Sequence, residues 1–487
     1  MPFNRSEPHR FPWIRVAALG IAMATLAGCS LVPRYERPEL PLQMLTAATA
    51  RGQASVSSLT LLSEEETELL DSLDRSGQLK HLTVQALEYN RDYRVATLRV
   101  EQARAEYGIA NASRLPAIQA TGTLERQAFN DRSLDDKFGQ RSSIASVGIN
   151  DFEIDFFERI KALSKAAQHQ YLATESGQRA ARKALISEVA QRFLLMRAEA
   201  ARQENTDALL EHRKEQADLA KRQVDSGALS REALAAVMRL RAQAQQQSRE
   251  ATLQLATARN ALEWVTGYKS PVKINSVVLD ARDQGEGEAT WLTNLDSTKL
   301  LERFDVHAAE EQLKANNASI GAARAAFFPS ISLSTSAGVA SEHLHDLFSG
   351  GTGTWLFVPQ INIPLFDGGR IQANLDVALA RKDIGVANYE KVVQNAFRDM
   401  VDGFAERDAL MHRIRSQSAL NDLALDQLDI RKAQAALGDA SKLDELTAQI
   451  QTIETGRALI DTQLAIQLNL LSLYRVLYGA DASAIPS

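Results

Sequence analysis

The sequence of 487 residues lacks the features that mark several common classes of protein. A single cysteine excludes a disulfide scaffold and any cysteine-rich zinc or iron–sulfur site. Only 25 glycines exclude collagen-like or glycine-repeat structure. Neither sign of charge dominates, since the formal net charge is −6, and nothing indicates a nucleic-acid partner. The chain has no nucleophile elbow, no nucleotide motif and no metal-ligand spacing of its histidines, so we expect no enzyme activity, no metal and no bound cofactor.

Long hydrophobic runs are also missing. The N-terminal run from Val16 to Gly28 has 13 residues, whereas a membrane-spanning helix needs about 20, so it predicts the core of a signal peptide. The run ends in Leu26-Ala27-Gly28-Cys29, which resembles a bacterial lipoprotein box and implies a covalent lipid on Cys29. Ser30 follows the cysteine, and this position resembles that of bacterial lipoproteins that are sorted to the outer membrane. The alternative is an ordinary signal with a chance cysteine.

Beyond residue 80 the chain repeats itself at an offset of about 211 residues. Arg159-Ile160 recurs as Arg370-Ile371, and Gly227 recurs as Gly438. Apolar residues match at the same offset: Ile186, Val189 and Phe193 with Phe397, Met400 and Phe404. The repeat covers most of each half, so it predicts a duplicated structural unit.

Each unit has the same order of predicted elements. A helix comes first, over Leu79–Asn111 in one half and about Asp305–Ala325 in the other. Two segments with strand alternation follow: Ile118–Leu124 and Phe152–Phe156, then Ser330–Val339 and Trp355–Phe366. Pro359 argues against a central position for the last of these.

A very long helical stretch follows each strand pair, about Arg159–Ser226 and Arg370–Leu437. Roughly 68 helical residues span about 100 Å, which suits an extended coiled-coil tube. Gly227 and Gly438 end these stretches, and return helices run to about Thr266 and Tyr478.

Four strands cannot close a membrane pore alone. In lipid, unpaired strand edges are too costly, so membrane β-structure closes into barrels, of which the smallest have about eight strands. Three chains supply twelve strands, so the pattern predicts an oligomer, most simply a trimer with a tube of twelve helices. The alternative is a soluble sheet that caps a coiled coil.

The sequence therefore divides into six segments: a signal peptide (1–28), a lipid-anchored N-terminal segment (29–78), a first repeat (79–267), a linker (268–304), a second repeat (305–479) and a C-terminal tail (480–487).

Several blocks of residues resemble the TolC-type outer-membrane efflux proteins, in their lipoprotein branch. The most specific block runs from Asp305 to Leu333 and contains Gly321-Ala322-Ala323-Arg324-Ala325-Ala326-Phe327-Phe328-Pro329. Pro364-Leu365-Phe366-Asp367-Gly368-Gly369-Arg370 and the first-half segment from Ala86 to Ala105 are similar to the same branch. The similarity covers nearly the whole mature chain.

The resemblance implies an α+β membrane protein: a duplicated unit of two β-strands plus long α-helical hairpins, whose trimer forms a 12-stranded β-barrel continuous with a periplasmic α-helical barrel. It implies an outer-membrane channel of a tripartite efflux system that exports small toxic compounds and antibiotics passively. Its implied partners are two further copies of the chain, a periplasmic adaptor, an inner-membrane transporter and outer-membrane lipid. The alternatives are a periplasmic adaptor, a structural coiled-coil lipoprotein or a type I protein-secretion channel.

The turns at Gly227 and Gly438 are the candidate functional positions, because in the family the periplasmic tip contacts the adaptor and closes the resting channel. Carboxylates follow the second turn, at Asp439, Asp444 and Glu445. Several chains that bring them to one axis would form an acidic ring, which favours cations and resists closure unless paired. Candidate partners lie by the first turn, at Arg222 and Arg231. The alternative for each charge is a solvated helix face.

Overall fold

A computed structural model describes residues 32–38, 62–138, 140–267 and 297–477. The chain divides into two units, 1–48 and 49–487. In the first unit, the described residues 32–38 are exposed and form no regular secondary structure. The signal peptide, Cys29, most of the 268–304 linker and the 480–487 tail lie outside the described residues.

The described part of the second unit contains helices and strands in two successive sets. The first set is α1 (Glu64–Leu73), α2 (Gln78–Tyr89), α3 (Arg91–Ala112), β1 (Ile118–Gln127), α4 (Arg132–Phe138), β2 (Gln140–Ile154), α5 (Arg159–Asp225) and α6 (Arg231–Thr266). The second set is α7 (Phe304–Ala325), β3 (Ser330–Ser341), β4 (Gly353–Asn362), α8 (Arg370–Leu437) and α9 (Lys442–Leu477). Short 3₁₀ turns cover Ser297–Glu302 and Leu344–Asp346.

The strands form one antiparallel sheet in the order β1-β2-β3-β4. Ile118 in β1 lies opposite Ile149 in β2, and Ser330 in β3 lies opposite Asn362 in β4. The two halves therefore meet at the β2–β3 pair, and β1 and β4 are the outer strands of the sheet. Pro359 belongs to β4, which agrees with the preference of proline for edge strands.

Below the sheet, the helices form a row of neighbours. Next to the sheet, α5 packs against α3 on one side and α7 on the other, and α7 packs against α8. Farther along, α5 packs against α6 and α9, and α9 packs against α8. The long helices α5 and α8 run through both levels, so the row has four helices throughout.

The largest hydrophobic core lies where α1 and α2 cover the middle of α5. It joins Leu70 and Leu79 to Ile186 and Phe193, with the end of α9 also contributing. Charged contacts reinforce it, because the Arg182 guanidinium lies 2.6 Å from the carboxylate of buried Glu66 on α1. That carboxylate also closes a capping box with Ser63 at the start of α1.

The predicted first helix, Leu79–Asn111, is instead two helices that break at Asn90. The Asn90 side chain accepts a hydrogen bond from the Tyr93 amide at 3.0 Å and donates to the Val265 carbonyl at 2.9 Å. It thus caps α3 and ties it to the end of α6.

The second strand of the first half also differs from its predicted extent. It begins at Gln140 and ends at Ile154, so Phe156 lies beyond it. Its register shifts between Ile149 and Phe152, where Asp151 has a φ of 50°. This bulge breaks the simple alternation that the sequence suggests.

Candidate functional site: the tips of the helical hairpins

The two helix reversals are built in the same way. Gly227 and Gly438 have φ values of 78° and 83°, in the left-handed region that favours glycine. In each turn, the amide after the glycine donates to a carbonyl five residues earlier, Ala228 to Gln223 at 2.8 Å and Asp439 to Gln434 at 2.9 Å. This is the Schellman arrangement, which satisfies the last carbonyls of a helix and turns the chain back.

A serine then starts each return helix. Ser230 Oγ accepts from the Ala233 amide at 3.1 Å at the start of α6. Ser441 Oγ accepts from the Asp444 amide at 3.2 Å, and Asp444 Oδ2 accepts from both the amide and the hydroxyl of Ser441. The Ser441 hydroxyl lowers the pKa of the exposed Asp444 carboxyl below its usual value. Asp444 therefore closes a reciprocal cap that α6 lacks, because Ala233 occupies the corresponding position.

Lys442, which sequence analysis missed, links the two hairpins. Its ammonium lies 3.1 Å from Glu445 on its own helix and 3.8 Å from Glu215 on α5. Glu445 is largely covered, with 16% of its side chain exposed, and also accepts from Gln449 at 3.3 Å. The sequence could have predicted the pair of Lys442 with Glu445, because residues three apart on a helix are neighbours. It could not have predicted the pair with Glu215, which is distant along the chain.

The other predicted tip residues stay separate in one copy of the chain. Arg222 donates to the Asp218 carbonyl of its own helix at 3.3 Å. Arg222, Arg231 and Asp439 are all exposed. No ion pair of the described residues joins either arginine to Asp439, Asp444 or Glu445. Arg222, Arg231 and Asp439 are therefore accessible at the surface of one copy of the chain.

A partly buried ion-pair cluster lies farther from the tip, between α5 and α9. The Arg202 guanidinium contacts Asp461 at 2.7 Å and also bonds Glu199 on its own helix. Burial lowers the pKa of Arg202, but the bonds to Asp461 and Glu199 outweigh it and raise the pKa overall. The cluster fixes the first hairpin to the second well above their turns.

In the part of the chain that the structure describes, no helix combines the length and the apolar character of a membrane span. No three His, Cys, Asp or Glu side chains of these residues come together in a way that would hold a metal ion.

The sequence profile described as outer membrane efflux protein matches residues 82–268 and 296–478, which are the two halves of the fold. The chain belongs to this family. The match covers both strand pairs and both helical hairpins.

Individual relatives are similar to this chain along nearly their whole length. The solvent efflux pump outer membrane protein SrpC of Pseudomonas putida is 36% identical over 462 residues, 94% of this chain and 97% of SrpC. The cation efflux system protein CusC of Escherichia coli K12 is 35% identical over 465 residues, 94% of this chain and 98% of CusC. The open-state structure of the Neisseria gonorrhoeae MtrE outer membrane channel matches with a TM-score of 0.72 and 30% identity, over 93% of this chain and 98% of MtrE.

These similarities confirm the expected fold class, function and location in their general form. The protein is an outer-membrane efflux channel with a mostly helical α+β fold and one small antiparallel sheet. Its family consists of channels that work in efflux pumps.

Proposed function

We propose that three copies of this chain form a passive conduit for small toxic compounds, with a closed sheet in the outer membrane and a helical tunnel in the periplasm. The observation that supports it best is the open four-stranded sheet. Among the described residues of one chain, the outer edges of β1 and β4 each present a row of backbone groups without a partner strand. In lipid such edges must be paired, and three copies give a closed sheet of twelve strands.

The row of helices supports the same assembly. In one chain, α8 stands at one end of the row and α3 and α6 stand at the other. Closure of three such rows makes a tunnel of twelve helices beneath the sheet. The long helices α5 and α8, with 67 and 68 residues, give the tunnel a length of about 100 Å.

The hairpin tips are the proposed gate and the contact surface for a periplasmic adaptor, which in turn binds an inner-membrane transporter. Lys442 ties the second hairpin to Glu215 of the first, and this contact favours a closed tip. Asp439, Arg222 and Arg231 are exposed there and supply the charges for contacts between copies and with the adaptor. A lipid on Cys29 anchors the mature chain in the outer membrane.

Accumulation of a fluorescent dye by cells tests the function. Cells that lack the protein should retain more of an exported dye than cells that carry it, and the purified protein should conduct ions in a planar bilayer. Equal dye retention with every partner pump expressed would contradict the small-molecule cargo. The same strains should also be tested for resistance to metal cations, because the relative CusC is named for cation efflux. Their export of a secreted protein should be measured as well, because a type I protein-secretion channel is one of the alternatives.

A further inference from the structure

A cavity of about 670 Å³ lies where the helices meet the sheet. It is lined by α5, α7 and α8 of one chain, with α7 packed between the other two helices. Its basic side chains come from all three helices: Lys161, Lys165 and His169 on α5, Lys314 on α7, and Lys382 on α8. Because one chain supplies all of these groups, the cavity is complete before any assembly.

The cavity begins directly at the end of the sheet. Helix α5 starts at Arg159, five residues after β2 ends at Ile154. At 1.5 Å per residue, Lys161 and Lys165 lie within about 10 Å of that helix start. Lys314 and Lys382 are eleven and twelve residues from the sheet-side ends of α7 and α8, or about 17 Å from those ends. The lysines therefore extend from the sheet-side end of α5 to about three turns along α7 and α8.

Exposed aromatic side chains surround the same junction. Phe157 lines the cavity and stacks on Phe328 with ring centroids 4.7 Å apart. Phe156 is exposed near by, and Phe366, after β4, is 93% exposed. Bands of exposed aromatics at the ends of membrane strands mark the level of the lipid headgroups.

The lysines keep hydrogen-bonding capacity for a ligand. Three of them contact carboxylates: Lys161 with Glu158 at 2.5 Å, Lys314 with Glu310 at 3.0 Å and Glu311 at 2.8 Å, and Lys382 with Asp383 at 3.4 Å. Each ammonium has three N–H donors, so one or two carboxylate contacts leave at least one donor free. Lys165 has no ion-pair partner among the described residues. Among the described residues that line the cavity, Glu158 is the one carboxylate.

We propose that this cavity binds the phosphate of an anionic phospholipid from the periplasmic leaflet of the outer membrane, with the acyl chains leaving past Phe157 into the bilayer. Basic pockets beside a membrane select anionic headgroups, because charged hydrogen bonds to phosphate add to the attraction of each cation. The apolar body of Phe157 at the sheet end suits the glycerol and acyl region. The inference goes beyond the proposed conduit but depends on its placement of the sheet in the membrane.

Native mass spectrometry of the full-length protein, purified in mild detergent with added lipid, tests the proposal. The wild type should retain phosphatidylglycerol in preference to the zwitterionic phosphatidylethanolamine. The double variant Lys165→Glu/Lys382→Glu should bind phosphatidylglycerol about tenfold more weakly, since it reverses two charges in the cavity. The matched control Lys221→Glu/Lys391→Glu reverses one lysine on each of the same helices outside the cavity and should bind as the wild type does.

Three results would overturn the proposal. One is equal retention of phosphatidylglycerol by the cavity variant, the control and the wild type. Another is equal retention of the two lipids by the wild type, a comparison that needs no variant to fold. The third is thermal stabilisation by inorganic phosphate without any from phosphatidylglycerol, which would assign the cavity to a soluble anion. Ion conductance of each variant, measured in parallel, separates a lost lipid site from a failed channel.

Discussion

The contacts of Lys442 can affect the opening of the tip although they add little to the free energy of unfolding. Its ion pairs with Glu215 and Glu445 are partly exposed, and exposed pairs contribute about 0.2–1 kcal/mol. The pair with Glu215 joins two hairpins, and a trimer contains three copies of it. Its effect should therefore appear in the equilibrium between closed and open tips.

We expect Lys442→Gln to open the channel. Loss of three pairs of up to about 1 kcal/mol each shifts the closed–open equilibrium by at most roughly a hundredfold. Single-channel conductance in planar bilayers should show longer or larger openings for this variant. Lys432→Gln is the control, because Lys432 pairs with Asp429 on its own helix at 3.5 Å. Identical traces from the two variants would rule out the proposed tie.

Asp305 gives a prediction about pH. Burial raises the pKa of its carboxyl, but hydrogen bonds from Arg303 at 2.8 and 3.0 Å outweigh this and lower the pKa below its usual value. A carboxyl whose folded-state pKa is depressed stabilises the fold above its unfolded-state pKa, and this contribution disappears as the pH falls through the folded-state value. Asp305→Asn should lower the Tm at pH 7, and the difference in Tm from the wild type should shrink as the pH falls below the usual pKa of an aspartate and through the lowered folded-state pKa of Asp305. If the difference in Tm between the variant and the wild type were the same at pH 7 and at pH 3, this account would be contradicted.

The hairpin turns, at the scale of single elements, depend on backbone conformation rather than on packing. A Cβ added at Gly227 or Gly438 would meet no atom within 4 Å, so the positive φ is the only obstacle to a side chain there. Helix α8 ends at Leu437, and Gly438 caps it in this left-handed conformation.

Gly438→Ala should therefore lower the free energy of unfolding by about 1 kcal/mol, from backbone strain alone. Gly438→Asn should cost less, because asparagine tolerates left-handed angles. Gly108→Ala in α3 is the control and should be neutral or stabilising, since it sits inside a helix with open space around it. Thermal unfolding of the purified proteins measures all three; equal losses for Ala and Asn would show that something other than φ matters.

The long helices could be predicted closely from the sequence. Helix α8 runs over Arg370–Leu437, as its periodicity and the following glycine indicate, and α5 ends one residue before the predicted Ser226. Local patterns suffice there, because a repeated apolar stripe and a helix-ending glycine act over short distances.

Features that depend on partners distant in the sequence could not be predicted in this way. The bulge at Asp151 is held by a bond from its amide to Ser334 on another strand, at 2.9 Å. The break at Asn90 depends on the Val265 carbonyl, and the Lys442 contact depends on Glu215. In each case, the deciding group lies more than 170 residues away along the chain.

At the scale of the whole molecule, attachment to the membrane has two separate sources in this account: a lipid on Cys29 and the closed sheet. Cys29→Ala should abolish incorporation of labelled palmitate and remove the lipid mass from the mature chain, whereas Ser30→Ala should retain both. The Cys29→Ala protein should still be found in the outer membrane, because the proposed twelve-stranded sheet would itself be embedded in lipid. Release of this variant into the soluble fraction would show that the lipid is the sole attachment.

The mass of the intact particle tests the central claim most directly, since one chain supplies an open sheet of four strands. Native mass spectrometry of the full-length protein, extracted from membranes in mild detergent, should give a particle of three chains. A stable single chain under those conditions would contradict the account, because its sheet edges would then have no partner.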